Sequence, residues 1–187
     1  MAGGDVKFRR AVAGDAAVVA NIVAMAFGEE LTRRLCGEAG ETLFEELARR
    51  DDTQYSYRNV LVCEADGEVV GAVCGYDGAK LQELRAPVMD TIRRRLGSVP
   101  EVADETSAGE FYLDTLGVLP RAQGRGLGAE LIRRMRDEAF AEGHERVTLL
   151  VDEDNTAAER LYERLGFSRC GEVDLLGHRM FRMECRK

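Results

Sequence analysis

The period of apolar residues changes several times along the chain, and each change marks an element. Val6 to Ala11 alternates enough for a first strand. Gly14-Asp15 then supplies a turn and a helix N-cap, and Val19, Ile22, Val23, Ala26 and Phe27 recur at helical spacing up to Gly28. Residues 29–51 are helical in character but interrupted by Gly37 and Gly40; Thr42-Leu43-Phe44-Glu45 has capping-box spacing and predicts a new helix there. Val60 to Ala65 and Glu68 to Cys74 are β-rich runs separated by Asp66-Gly67, a favoured two-residue hairpin turn. Leu81, Leu84, Val88, Ile92 and Leu96 share one helical face, with Pro87 predicting a kink or a break. Gly97 to Gly109 is polar and acidic, carrying Glu101, Asp104 and Glu105, and reads as a loop.

The second half alternates strand and helix. Glu110 to Val118 predicts a strand, and Gln123 to Ala141 a helix with Leu127, Leu131, Met135 and Ala139 as its stripe. Arg146 to Val151 is a buried strand, Asn155 to Leu165 a short helix closed by Gly166, and two strands near 167–173 and 178–185 finish the chain. Strands joined by crossover helices imply parallel pairing, so the expected fold class is α/β with a mixed sheet. No internal repeat and no linker composition divides the 187 residues, so 1–187 is expected to be a single domain. At that size roughly 70% of the unfolded surface can be buried, enough for a core without disulfides or metal.

Composition narrows the function classes. Lys and Arg number 26 against 34 Asp and Glu, a net charge of −8, which argues against nucleic acid as a partner. No apolar run approaches the ~18–20 residues of a membrane span, so no membrane partner is expected. No charged leader precedes an apolar stretch at the N-terminus. Cys36, Cys63, Cys74, Cys170 and Cys185 are odd in number and scattered, which suits reduced cytoplasmic thiols better than disulfides or zinc. Of the two histidines, His144 reads as a surface or helix-end residue, and Cys63 and Cys74 read as small core residues. Arg93-Arg94-Arg95 is a helix-end charge cluster. Twenty glycines against three prolines point to specific tight turns and to a phosphate loop.

The stretch Pro120 to Gly128, between a strand and an amphipathic helix, contains Gly124, Gly126 and Gly128. A helix N-terminus offers unpaired N–H donors and a positive partial charge to phosphate, and glycines let a ligand approach the backbone. A turn that only packs tightly would have the same composition. The loop is not a Walker A motif, since no Gly-Lys-Ser/Thr follows, and it lacks the third glycine spacing of the dinucleotide fingerprint. About 27 residues on, the chain reads Asn155-Thr-Ala-Ala158-Glu-Arg-Leu-Tyr162-Glu-Arg-Leu-Gly166-Phe167. Together, Gln123-x-x-Gly126-x-Gly128 and Asn155-x-x-Ala158-x-x-x-Tyr162-x-x-x-Gly166-Phe167 resemble the acetyl-CoA-binding half of the GNAT superfamily of N-acetyltransferases. The resemblance covers residues 110–167 and fills every position of both motifs.

The resemblance implies acetyl-CoA as co-substrate, no metal, and two splayed central parallel strands. The pyrophosphate would lie over Gln123, Gly124, Arg125, Gly126, Leu127 and Gly128, with Arg125 either adding a charged contact or simply solvated. Pantetheine would pair with Leu116, Gly117 and Val118, where Gly117 and Gly109 suggest a bulge or close approach. Asn155 fits both an N-cap and a cofactor contact. Tyr162 matches the family residue that protonates the departing thiolate, although its spacing also continues an apolar stripe. The base is open: where family members carry a glutamate, this chain has Tyr112 or Leu150, and Asp114 is the remaining candidate unless neighbouring backbone satisfies it. The expected reaction is direct transfer to a primary amine of a small molecule in a ternary complex, without a cysteine carrier. A non-catalytic acyl-CoA sensor, a peptide N-acetyltransferase and a nucleotide-phosphate binder are the alternatives. Segments 29–57 and 77–109 should form the acceptor walls, net charge favours a cationic acceptor, and a homodimer is left open.

Overall fold

Residues 5–37, 40–99 and 101–187 are described by the structure, a computed structural model. Seven strands, β1 (Val6–Arg10), β2 (Val60–Ala65), β3 (Glu68–Asp77), β4 (Phe111–Val118), β5 (Arg146–Asp152), β6 (Ser168–Leu175) and β7 (His178–Arg186), form one sheet in the order β1-β2-β3-β4-β5-β7-β6. Six helices accompany it: α1 (Ala16–Phe27), α2 (Glu29–Cys36), α3 (Gly40–Arg49), α4 (Leu81–Leu96), α5 (Leu127–Ala141) and α6 (Thr156–Arg164). Two hydrophobic clusters cover the two faces. One gathers α1, α3 and α4 against Val60, Val62, Ala72 and Cys74; the other gathers α5 and α6 against Leu61, Cys63, Val73, Leu113 and Leu149. Strand β2 is therefore buried on both faces, which is why its sequence is a continuous apolar run rather than an alternation.

The sheet is mixed, but β4 and β5 are its only neighbouring parallel pair among the described residues. The crossover rule holds for α5, whereas α4 joins β3 to β4, which pair antiparallel. A helical connection permits a parallel pair without requiring one. Several local expectations also shift. Asp15 does not cap α1; its carboxylate accepts from the Val12 amide at 2.8 Å and from Arg9. Helix α3 already starts at Gly40, so Thr42 lies inside its first turn. Pro87 sits within an unbroken α4, and the carbonyl it orphans belongs to Glu83 on the exposed side. Helix α5 starts at Leu127, leaving Gln123 to Gly126 as loop. Of the arginine cluster, Arg95 crosses to Glu46 of α3 at 2.6 Å rather than being only solvated. His144 packs edge-on against Phe111, 5.4 Å between ring centres.

The described residues of segment 97–109 form a loop, as their composition predicts, yet Glu105 and Thr106 in it are buried. Gly78 makes this close approach possible, because a Cβ there would stand 2.2 Å from the Ser107 carbonyl oxygen and 2.5 Å from the Thr106 hydroxyl. Arg182 of β7 clamps the same segment from the other side, donating to the Glu105 carbonyl at 2.9 Å and to the Glu110 carboxylate. Glu110 is 1% exposed and also faces Arg146 at 3.3 Å. Burial pushes its carboxyl up, but hydrogen bonds from Arg182 and Thr106 outweigh it and hold the group below the ordinary range.

Two stability outcomes follow from this packing. Gly78→Ala should lower stability by about 1–3 kcal/mol in urea unfolding, because the Thr106–Ser107 backbone must move to admit the methyl group. Thr148 is buried with a hydroxyl that has no partner among the described residues. Thr148→Val should accordingly raise the urea midpoint, by up to about 1 kcal/mol of stability.

Candidate active site

Strand β4 divides the sheet. Its pairing with β5 runs only through Phe111↔Val147, Tyr112↔Thr148 and Leu113↔Leu149. On its other edge the register steps from Cys74↔Thr115 to Gly75↔Leu113, which leaves Asp114 unopposed as a bulge residue. A bulge bends its strand and increases local twist. From Asp114 onward β4 keeps β3 as a partner but has none on the β5 side, while β5 continues to Asp152 against β7. The two parallel strands thus splay, and a cleft of about 1000 Å³ opens between them.

One end of the cleft is bounded by Leu116, Gly117 and Val118 of β4 and by the loop into α5. Gly124 and Gly126 have φ of +75° and +76°, and a Cβ on either would meet nothing within 4 Å. Both are held in a left-handed turn whose outer side is open, the shape of an anion nest. Glu130 donates the first intrahelical bond, to the Gly126 carbonyl at 3.1 Å, so the preceding amides form the unpaired N-terminal turn of α5. The Gln123 side chain closes the loop, its Nε2 donating to the Val118 carbonyl at 2.9 Å. Leu127 is buried in the core, and a Cβ added at Gly128 would lie 3.7 Å from Val118 Cγ2, an ordinary contact. Asn155 lines the cleft and caps α6, accepting from the Ala158 amide at 3.1 Å, so the N-cap reading holds.

Arg125 is exposed, in keeping with its reading as a solvated residue, and is not part of the cleft lining. Gly117 borders the cleft, but its missing side chain accommodates α1: a Cβ there would stand 2.6 Å from Ile22 Cγ2. The bulge falls at Asp114, whereas Gly109 forms a left-handed turn before β4.

Tyr162 of α6 lines the cleft and packs edge-on against Phe167, with ring centres 6.2 Å apart. Burial pushes its phenol up to about 12, so it stays protonated at neutral pH. Cys63 and Cys74 are buried in the core, away from the cleft, and burial raises both thiols.

At the bulge the cleft meets a buried polar cluster. Asp114 accepts from the Tyr76 hydroxyl at 3.0 Å and from Thr115 at 2.7 Å. Gln54 donates to the Tyr76 oxygen and to Glu105, both at 2.9 Å, and Arg85 pairs with Glu105 and, at 2.7 Å, with Asp104. Glu105 is pushed up to about 7 by burial and then by the Asp114 charge, with Arg85 opposing. Burial likewise raises Asp114, against the hydrogen bonds from Thr115 and Tyr76. Two carboxyl groups therefore share one enclosed site and hold a proton near neutrality. Beyond the cluster, the cleft is lined by parts of both expected walls, including Phe44, Tyr55 and Met89, and by the end of α1.

Sequence reading singled out Asp114 but not its partners. Glu105 lies in an acidic stretch without periodicity, and Gln54 and Tyr76 carry no spacing that marks them. Arg85 left one trace, since it occupies a position on the apolar stripe between Leu81 and Val88. Glu110, Tyr112 and Asp114 alternate by two at the start of β4, but only Tyr112 and Asp114 line the cleft, and Glu110 is taken up by Arg182 and Arg146.

Comparison with known proteins addresses the same region. The sequence profile of the Acetyltransferase (GNAT) family matches residues 25–167. Mycothiol acetyltransferase of Gordonia bronchialis is 49% identical over 65 residues, which is 35% of this chain and 20% of that protein. Mycothiol acetyltransferase of Frankia casuarinae is 34% identical over 131 residues, 70% of this chain and 33% of the relative. The chain thus spans a fifth to a third of the length of these two relatives. A crystal structure described as an acetyltransferase superimposes with a TM-score of 0.79 at 27% identity, covering 96% of this chain and 98% of the other. The splayed strands, the glycine turn at the α5 N-terminus and the capped helix carrying Tyr162 therefore occur in a chain that belongs to the GNAT family of acetyltransferases.

Proposed function

We propose that residues 1–187 form one acetyl-CoA-dependent N-acetyltransferase domain that acts on a primary amine of a small molecule within a ternary complex. The observation that carries this reading is the cleft itself. It runs from the open nest at Gly124 and Gly126, along the β4 edge at Leu116–Val118, to the carboxyl cluster at Asp114. Acetyl-CoA fits the first part: its pyrophosphate meets the α5 N-terminal amides, and its pantetheine amides meet strand groups that have no β5 partner. Gln123 and Asn155 hold the two turns that border this path.

In the reaction, the acceptor ammonium gives a proton to the carboxylate of Asp114, whose charge is shared with Glu105 through Tyr76. The free amine forms a C–N bond to the thioester carbonyl, and backbone amides of the β4 edge stabilise the oxyanion. The adduct then breaks its C–S bond. Tyr162 donates its proton to the departing sulfur, and the phenolate recovers a proton from the adduct nitrogen. The proton left on Asp114 goes to solvent, so amide, free thiol and one proton are the products. The two relatives named mycothiol acetyltransferase match 35% and 70% of this chain but only 20% and 33% of their own length, so the acceptor proposed here rests on the cleft and not on their name.

Tyr162→Phe should lower kcat roughly a hundredfold while KM for acetyl-CoA changes little, read by thiol release. Unchanged kcat would remove Tyr162 from the mechanism. Activity should also require the deprotonated cluster, so kcat/KM for the amine should fall as pH drops below about 7, where Glu105 binds its proton. Glu105→Gln removes a like charge beside Asp114 and should move that acid limb to lower pH; an unmoved limb would show that the two carboxyls do not act together.

A further inference from the structure

Past the bulge, the cleft changes character. Phe27 and Phe44 stack with ring centres 5.6 Å apart, and Tyr55 meets Phe44 edge-on at 5.3 Å. Met89 and Ile92 of α4 and Leu47 of α3 complete this wall. The polar side chains beside it are Gln54, Arg85, Glu105 and Asp114, and they are bonded to one another within the cluster. Two carboxyl groups, Asp114 and Glu105, face the single guanidinium of Arg85, which also reaches the exposed Asp104. These charges balance only while one carboxyl keeps a proton; once that proton leaves, one positive charge is wanting beside the aromatic wall.

We infer that the acceptor is a primary amine on an aromatic or branched aliphatic body, its ammonium seated at Asp114 and Glu105 and its body against Phe27, Phe44 and Met89. The inference rests on the amine-acetylation reading above and specifies its substrate class. An ammonium supplies the missing charge and places its nitrogen where β4 parts from β5, beside the path assigned to the thioester. The apolar body displaces water from aromatic and thioether surface, which favours binding in proportion to the area covered. A polyamine would carry its further charges, and an aminosugar its hydroxyls, against a surface of Phe27, Phe44, Leu47, Met89 and Ile92 that replaces few of their bonds to water. Each such group should lower kcat/KM roughly tenfold.

The test is thiol release by the full chain with acetyl-CoA and a panel of amines. The panel sets 2-phenylethylamine and isopentylamine against spermidine, glucosamine, kanamycin and a lysine peptide. The apolar amines should exceed the rest by tenfold or more in kcat/KM, mainly through KM. Met89→Lys, at a half-buried position, should raise KM for 2-phenylethylamine at least tenfold and leave KM for acetyl-CoA unchanged. Preference for spermidine, glucosamine, kanamycin or the peptide would overturn the acceptor class while leaving amine acetylation intact. Unaltered kinetics in Met89→Lys would remove the wall from recognition and overturn the inference equally. If acetyl-CoA shifts the melting temperature but no amine releases thiol, the inference falls together with the reading beneath it.

Discussion

The interruption of one ladder of hydrogen bonds organises this protein. Strands β4 and β5 pair for three residues and then part, because Asp114 has no residue opposite it on β3 and the strand turns at that point. A flat, fully paired sheet would have no interior opening here, and the backbone groups of Leu116–Val118 would be satisfied within the sheet. Their release on one edge creates a buried strand edge, normally a liability, which survives inside a cleft where a ligand can pair with it. The same bulge residue presents the carboxyl group that closes the cleft's other half, so one irregularity sets both where a thioester could lie and which charge would stand beside it.

Maintaining that charge in the interior requires support from distant parts of the chain. Gln54 comes from the segment before β2, Tyr76 from β3, Arg85 from α4, Glu105 from the stretch before β4, and Asp114 from β4 itself. Each buried polar group would be costly alone; bonded together they are tolerable, and removing one leaves the others uncompensated. Arg182 adds a tie from β7 to both the Glu105 backbone and Glu110. The irregular stretch 101–109 is consequently fixed by polar bonds and by close packing on Gly78, not by secondary structure.

Much of the architecture was legible because local rules are strong where repetition is strong. The Asp66-Gly67 hairpin forms with both residues at positive φ, and the α5 stripe faces the core along its length. The glycine turn and the α6 motif were legible for a different reason: phosphate-binding turns and capped helices constrain residue type at fixed spacing. Boundaries were less accurate. Gln123 to Gly126 reads as helix from its periodicity yet forms a turn, because Gly124 and Gly126 favour the left-handed backbone there. Arg125 shows the limit of proximity in sequence, since it stands between two nest glycines yet is exposed and does not line the cleft they border.

The sequence by itself determined the strand and helix inventory, the hairpin, the loop-to-helix turn and the family, all of which depend on residues close together in the chain. Tertiary structure alone decided the rest: that only one neighbouring pair of strands among the described residues is parallel, that Asp114 is a bulge, and that Glu105 is buried rather than solvated. It alone also brought Gln54, Tyr76, Arg85, Glu105 and Asp114 into one bonded group across a span of sixty residues. The physical reason is range. Propensity and periodicity act within a turn or a strand, whereas burial and the sharing of a proton between carboxyl groups arise only when separate segments pack together.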